Sequence, residues 1–321
     1  MNAIFEDFID IEELAEDLNE ADAGARIVAV MELADSADPD AIPFITKAIE
    51  DVDTGVRLKA AQALTDFDGP ETAAALVIAL SDEDEAVRKA AAMSLTELKD
   101  PKSGDSLLPR LSSDDEFVVV SVLGGLKELR RPDALGPAIT ALESKSEVIR
   151  VGAVGVIGWL QDETALPALI ASASDEDPTV RRTAVSALGF CKNEHTEKAL
   201  INALLDENWQ VREASAETLA KCGSTASTPP LTSALDDDYW QVRLKATRSI
   251  GKLGITAAAD KIGAIMLETQ IPNLRKECAA GLGELAVPGT EKYLENYTND
   301  GDPDVRKNVR WALQRIADSQ V

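Results

Sequence analysis

Nine arginines, at Arg26, Arg57, Arg88, Arg150, Arg181, Arg212, Arg243, Arg275 and Arg306, each follow an apolar residue. Such a row could grip anions as a ladder. Alternatively, each guanidinium could pair with a carboxylate of an acidic loop in its own or the adjoining repeat, as at Asp177 or Asp206. A charge kept at nearly every repeat junction is normally paired, so these are read as structural repeat arginines. The other candidate chemistry is thin. His195 is the one histidine, in a helix break at Asn193-Glu194-His195, and one histidine supplies neither a dinuclear metal site nor a triad without a placed nucleophile. Cys191 and Cys222 stand 31 residues apart, which invites a metal or redox pair. The same place in other repeats holds Phe67, Leu98, Leu129, Leu160, Leu253 and Leu285, so the thiols read as small core hydrophobes, as does Cys278. No catalytic residue, metal or cofactor is expected.

Aromatic residues carry the stronger signal. Trp159 and Phe190 share a place nine residues after their arginines, where other repeats put Asp35, Asp66, Glu97, Glu128, Lys221, Lys252, Glu284 and Arg315. Apolar rings at an otherwise charged, solvent-facing position mark a patch for a partner. Trp209 and Trp240 each stand three residues before an arginine, with Tyr239 adjoining, and are expected to stack on one another in register along one edge. The segment Glu116–Leu126 lacks the arginine, and Val151–Leu160 is apolar nearly all round with Gly152, Gly155 and Gly158. Each glycine costs a helix up to about 1 kcal/mol against alanine, so close packing or a partner must offset it. The candidate partner-binding residues are therefore Phe117, Val151, Trp159, Phe190, Trp209, Tyr239 and Trp240.

The elements that position these residues follow from the interval. Successive arginines differ by 31, 31, 62, 31, 31, 31, 32 and 31, and Val118-Val119 fills the double step. A small residue follows three positions later, and a Leu or Ile seven later, from Leu33 and Leu64 to Leu282 and Leu313. The period and the spacing predict a repeat of two helices. Acidic loops such as Asp82–Glu85 should cap the first helix, and Pro178, Pro272 and Pro303 open it. Breaks such as Asp68-Gly69-Pro70 and Arg131-Pro132-Asp133 should separate it from a second helix, for instance Ala165–Ala173 or Glu197–Leu205. The expected fold is all-α, a right-handed α-solenoid or superhelix of stacked helix pairs, forming a single elongated domain. Residues 1–21, with Ile4, Phe5, Phe8, Ile11, Leu14 and Leu18 as an apolar stripe, form a capping helix; 22–301 hold nine pairs; 302–321 hold a closing helix.

DEDEAVRKAAAMSL (Asp82–Leu95) and DEDPTVRRTAVSAL (Asp175–Leu188) resemble the HEAT-like repeats of the phycobilisome-lyase type. The resemblance covers nearly the whole chain after Asp22 and implies the solenoid fold. It also implies, as an alternative function, a bilin lyase or tetrapyrrole-handling factor acting on a client protein, although no lyase residue transfers by motif. The iron hydroxylase built from similar repeats needs several His-Glu pairs, and this sequence has no His-Glu dipeptide.

Composition narrows the partner. The formal charge is −25, from 57 acidic against 32 basic residues. Such a field opposes nucleic acid and anionic lipid, and its simplest role is solubility. The amino terminus has neither a basic region nor an unbroken apolar run, so no signal peptide or membrane span is expected. Three cysteines, an odd number, suit a reducing compartment, giving a cytoplasmic localisation. The function expected is a non-catalytic scaffold or adaptor presenting a long surface to another protein or protein segment. It would act as a monomer or within a hetero-complex.

Overall fold

Acidic loops cap most of the first helices, as expected, while Tyr239 and Ile271 precede theirs without a side-chain cap. In a computed structural model that describes residues 10–320, Asp53 Oδ1 accepts the backbone N–H groups of Gly55 and Val56 at 2.8 and 3.2 Å. Asp84, Asp115, Asp177 and Asp302 repeat this arrangement. Each cap satisfies N–H groups that the first helical turn leaves open, a contribution of about 1 kcal/mol. Among the described residues all regular structure is helical, with no strand, and no helix is long and apolar enough to cross a membrane.

The chain divides into two compact units, one ending at Leu160 and the other beginning at Gln161. In the first, the arginine-bearing register forms the helices Ala23–Asp35, Thr54–Ala63, Glu85–Leu95, Glu116–Leu129 and Glu147–Leu160, each packed on the next. Between them run the second helices Ile42–Ala48, Pro70–Ala79, Gly104–Leu107 and Leu135–Ala141. The second unit is an array of the same kind. Its first helices are Pro178–Ala187, Trp209–Cys222, Trp240–Leu253, Pro272–Leu285 and Pro303–Asp318, and its second helices run from Leu166–Ser172 to Glu291–Leu294. Each unit is thus an α-solenoid of stacked helix pairs.

The core is built from the predicted positions. The residues seven after the arginine, Leu33, Leu64, Leu95, Leu126, Ile157, Leu188, Leu219, Ile250 and Leu282, are wholly buried. Leu313 is half-buried, because its helix Pro303–Asp318 has a neighbour on one side only. Ala60, Ala91, Ala153, Ala184 and Ala246 lie at the contact between adjacent first helices and have no exposed surface. Of the expected capping stripe, Ile4, Phe5 and Phe8 lie outside the described residues, while Ile11–Glu16 is helical and Ile11 is buried.

The breaks differ from expectation in one respect. Ala37, Arg130, Gln161 and Ala286 adopt left-handed backbone angles (φ 47 to 53°) at the place where Gly254 does so in its own repeat. A left-handed residue ends a helix by letting the next N–H groups reach back to its last carbonyls, as Ala286 N–H does to Leu282 O at 2.9 Å. A side chain there carries a cost that glycine avoids.

Candidate protein-interaction surface

Most of the arginine row is consumed within the protein. Arg181 donates from Nε and Nη2 to the two carboxylate oxygens of Asp206, at 2.7 and 2.9 Å. Its Nη1 donates to the carbonyls of Asp175 and Glu176. Arg26 with Asp51, Arg57 with Asp82, Arg212 with Asp237 and Arg275 with Asp300 are built alike, the carboxylate always 25 residues later. The same aspartates also accept a backbone N–H two residues on, from Asp53, Asp84, Asn208, Tyr239 and Asp302. The loop motif Asp-x-Asp therefore divides its work: the first acid takes the preceding repeat's arginine, and the second caps the helix. Asp177 is a cap of this kind and not the arginine's partner, whereas Asp206 is the partner.

The electrostatics agree with full pairing. Hydrogen bonds from Arg26 hold the Asp51 carboxyl below its ordinary range. Burial pushes the Asp206 and Asp237 carboxyls up, yet bonds from Arg181 and Arg212 and from the loop N–H groups outweigh burial and hold both low. The row leaves little capacity for an external anion ladder.

Not every rung has its carboxylate: Arg243 and Arg306 donate to loop carbonyls, and at one rung both members are replaced. Val119 stands where the arginine would be and Ser144 where its aspartate would be. The rung before it, Arg88, meets Ser113 in place of aspartate. Its guanidinium lies instead over the Phe117 ring, 4.8 Å from the centroid, and 3.5 Å from Asp115.

Grooves between successive second helices run above these rungs. In the first unit one of about 520 Å³ lies over Arg26 and Asp51, and one of about 550 Å³ over Val119 and Ser144, walled by Leu108, Leu111, Pro137 and Ile149. In the second unit one of about 410 Å³ lies over Arg181 and Asp206 with His195 on its wall. These volumes lie in the range of small binding clefts. His195 is exposed in the first turn of the helix Glu194–Ala203 rather than in the break, because Asn193 caps that helix by accepting from Thr196 N–H at 2.8 Å.

The predicted aromatic residues separate into distinct settings. Trp159 is 42% exposed, with the Arg130 guanidinium 4.4 Å and the Lys127 ammonium 5.5 Å from its ring centre. Arg130 is one of the left-handed residues, so the break itself sets the cation over the ring. Trp209 does not stack on Trp240. Its ring lies against Tyr239, centroids 5.2 Å apart and planes 8° from parallel, with Arg212 5.7 Å from the tyrosine. Tyr239 is the extended residue preceding the helix Trp240–Leu253, while Trp240 is already its first helical residue. The loop residue therefore reaches the preceding repeat. Tyr239 is 45% exposed; Trp209, Trp240, Phe117, Val151 and Phe190 are half-buried.

Gly152 is accounted for by packing: a Cβ there would come within 3.0 Å of Leu123 on the adjoining helix. Cys191, Cys222 and Cys278 are buried, and burial raises the Cys222 thiol to about 11 and the Cys278 thiol to about 12, so at neutral pH both stay protonated and weakly nucleophilic. Glu197 is buried, and burial pushes its carboxyl up, but it accepts from Ser227 Oγ and from Ser224 N–H and Oγ, and the net effect is to lower it. Among the described residues no cluster of His, Cys, Asp and Glu is arranged to hold a metal ion.

Several exposed apolar residues were missed from sequence. Val52 is 93% exposed in a loop position where other repeats place Glu83, Asp114, Lys145, Glu176, Glu207 and Asp238. Superposing the loops by period would have revealed it. Trp311 is 42% exposed, with its ring packed against Gly283.

A family model described as HEAT repeats matches residues 11–80, 56–123, 119–189 and 167–251, which together exceed half of the chain. Among curated proteins none matches in sequence. Among solved structures, the chain is similar to an engineered protein (19% identity, TM-score 0.50, covering 96% of this chain and 98% of that one) and to YibA of E. coli (19%, 0.54, 89% and 96%). It is also similar to Kap95p, solved with RanGDP (13% identity, TM-score 0.70), covering 96% of this chain and 52% of the other. At these identities the likeness concerns the fold.

Proposed function

This chain belongs to the HEAT repeat family, and from that premise we propose that it is a non-catalytic scaffold holding a partner protein along its helix-pair surface. In this reading residues 22–301 act as nine consecutive repeats. The observation that supports it most is Trp159, an indole left 42% exposed beneath two cations at a position where other repeats carry charged side chains. Aromatic residues beside arginine are the groups that most often dominate binding energy when a partner excludes water from them. The Trp209–Tyr239 stack, also close to an arginine, offers a second ring surface of the same kind. Preformed helix pairs present such rings without an ordering cost at binding. The likeness to Kap95p, described with bound RanGDP, agrees with use of this architecture to hold proteins.

The test begins with a partner isolated on the tagged protein. Trp159→Ala should weaken that partner by about 30-fold, the effect of losing a hot-spot aromatic of about 2 kcal/mol. It should leave thermal stability nearly unchanged, since the ring is half exposed. Unchanged affinity for both Trp159→Ala and Tyr239→Ala would remove the aromatic residues from the account.

A further inference from the structure

The acidity of this chain is not spread evenly. Residues 1–85 carry 23 acidic against 4 basic side chains, a formal −19 of the chain's −25. Two of those four bases, Arg26 and Arg57, are already occupied by Asp51 and Asp82. Within this stretch two clefts lie on either side of Phe44, of about 520 and 730 Å³. The first has apolar walls from Leu18, Ala48 and Phe44, with the almost fully exposed Val52 at its lip. The second has Ile11, Pro39, Pro43 and Phe44 among the carboxylates of Asp10, Glu12, Asp38, Asp40 and Glu71. Among the described residues none of these five acids is in an ion pair.

We propose that the paired clefts around Phe44 are a docking site for a basic, amphipathic segment of a partner protein, its apolar side chains seated beside Phe44 and its lysines or arginines facing the acidic rim. The proposal rests on the scaffold reading and gives it a partner chemistry. An apolar groove alone would accept many occupants, and the charge selects among them. A second copy of this surface brings the same strongly negative field. Residues 1–9 of the chain carry Glu6 and Asp7 and no basic side chain. Both are opposed by like charge. A cationic segment gains from every rim carboxylate, and although Lys47 and the paired Arg26 also line the first cleft, the net negative field of this stretch steers such a segment in before contact.

The experiment uses the full chain and fluorescein-labelled peptides of alternating Leu and Lys, alternating Gly and Lys, and alternating Leu and Glu, followed by anisotropy. The Leu–Lys peptide should bind. The Gly–Lys peptide, equal in charge, should bind about tenfold more weakly for want of its apolar residues. Neutralising three exposed rim acids, Glu12→Gln/Asp40→Asn/Glu71→Gln, should cost the Leu–Lys peptide about tenfold, the sum of three typical exposed charge contacts. Neutralising three exposed acids outside the clefts, Glu32→Gln/Asp35→Asn/Asp66→Asn, should change it less than about twofold. Equal losses in the two triple variants would reduce the effect to general charge attraction and overturn the site, as would equal binding of the Leu–Glu peptide. Sedimentation showing self-association abolished by the rim substitutions would assign the clefts to a second copy and overturn it too. The scaffold reading fails separately: it falls if Trp159→Ala and Tyr239→Ala leave partner capture unchanged, whatever the peptides do.

Discussion

The Arg181–Asp206 rung can be dismantled in two ways, and the chain itself contains the control. Both side chains are about a tenth exposed, 10% and 12%, and are joined by two short hydrogen bonds. Arg181→Val would leave the Asp206 carboxylate in a largely dry site, still holding the Asn208 N–H but without its cation. Removing one member of such a pair costs about 3 kcal/mol, most of it the penalty on the abandoned charge. Asp206→Ser should cost a similar amount, since Arg181 keeps its two carbonyl contacts and only a long contact, 3.6 Å, to the exposed Glu207. The double variant Arg181→Val/Asp206→Ser reproduces the Val119 and Ser144 arrangement found elsewhere in this chain. It should cost only about 3 kcal/mol, giving a coupling of about 3 kcal/mol between the two sites, the upper end for contacting residues. Repeats loosen locally, so the suitable assay is native-state hydrogen exchange in the helices Pro178–Ala187 and Trp209–Cys222, supported by urea unfolding. Additive losses, or a cost below about 1 kcal/mol for Arg181→Val as at a surface ion pair, would refute the view that these rungs are buried junction locks.

Three further outcomes follow from the same geometry. Ala286→Gly, at φ 47°, should stabilise the protein by about 1 kcal/mol by removing a left-handed side chain, read as a raised midpoint in urea. Because Arg partners hold Asp51, Asp206 and Asp237 below their unfolded values, their stabilisation is present above the unfolded carboxylate range and fades as pH falls through the lower folded values. Thermal stability should therefore be flat from about pH 7 to 5 and drop below about pH 4, and Arg212→Val should flatten part of that acid limb. Cys278, wholly buried with its thiol raised to about 12, should resist iodoacetamide at pH 8 in the native protein and react on unfolding; fast native modification would contradict its place in the core.

The fold was legible because its rule is one-dimensional. An apolar residue, an arginine, a small residue and a Leu at fixed offsets describe a helix that packs on its own copy 31 residues away. The caps were legible for the same reason. Which acid of each loop meets which arginine was not, because Asp-x-Asp presents two carboxylates and only the backbone path decides that the first faces the preceding repeat. The ring stack was misassigned on similar grounds: identical repeat positions lie side by side, but Tyr239, one residue earlier and extended, reaches Trp209 instead of Trp240. The left-handed breaks at Ala37, Arg130 and Ala286 gave no warning, since glycine, the usual marker, is missing there. The clefts around Phe44 depend on residues from separate elements brought together by packing, which no single window of sequence displays.

The most direct measurement is isolation of the tagged protein from its own organism, with mass spectrometry and a visible absorption spectrum of the eluate, for the native chain and for Trp159→Ala/Tyr239→Ala. A scaffold should yield a colourless eluate with a stoichiometric companion protein that the double variant loses. A companion retained in full by that variant, or a bilin absorption band accompanied by phycobiliprotein subunits, would contradict it.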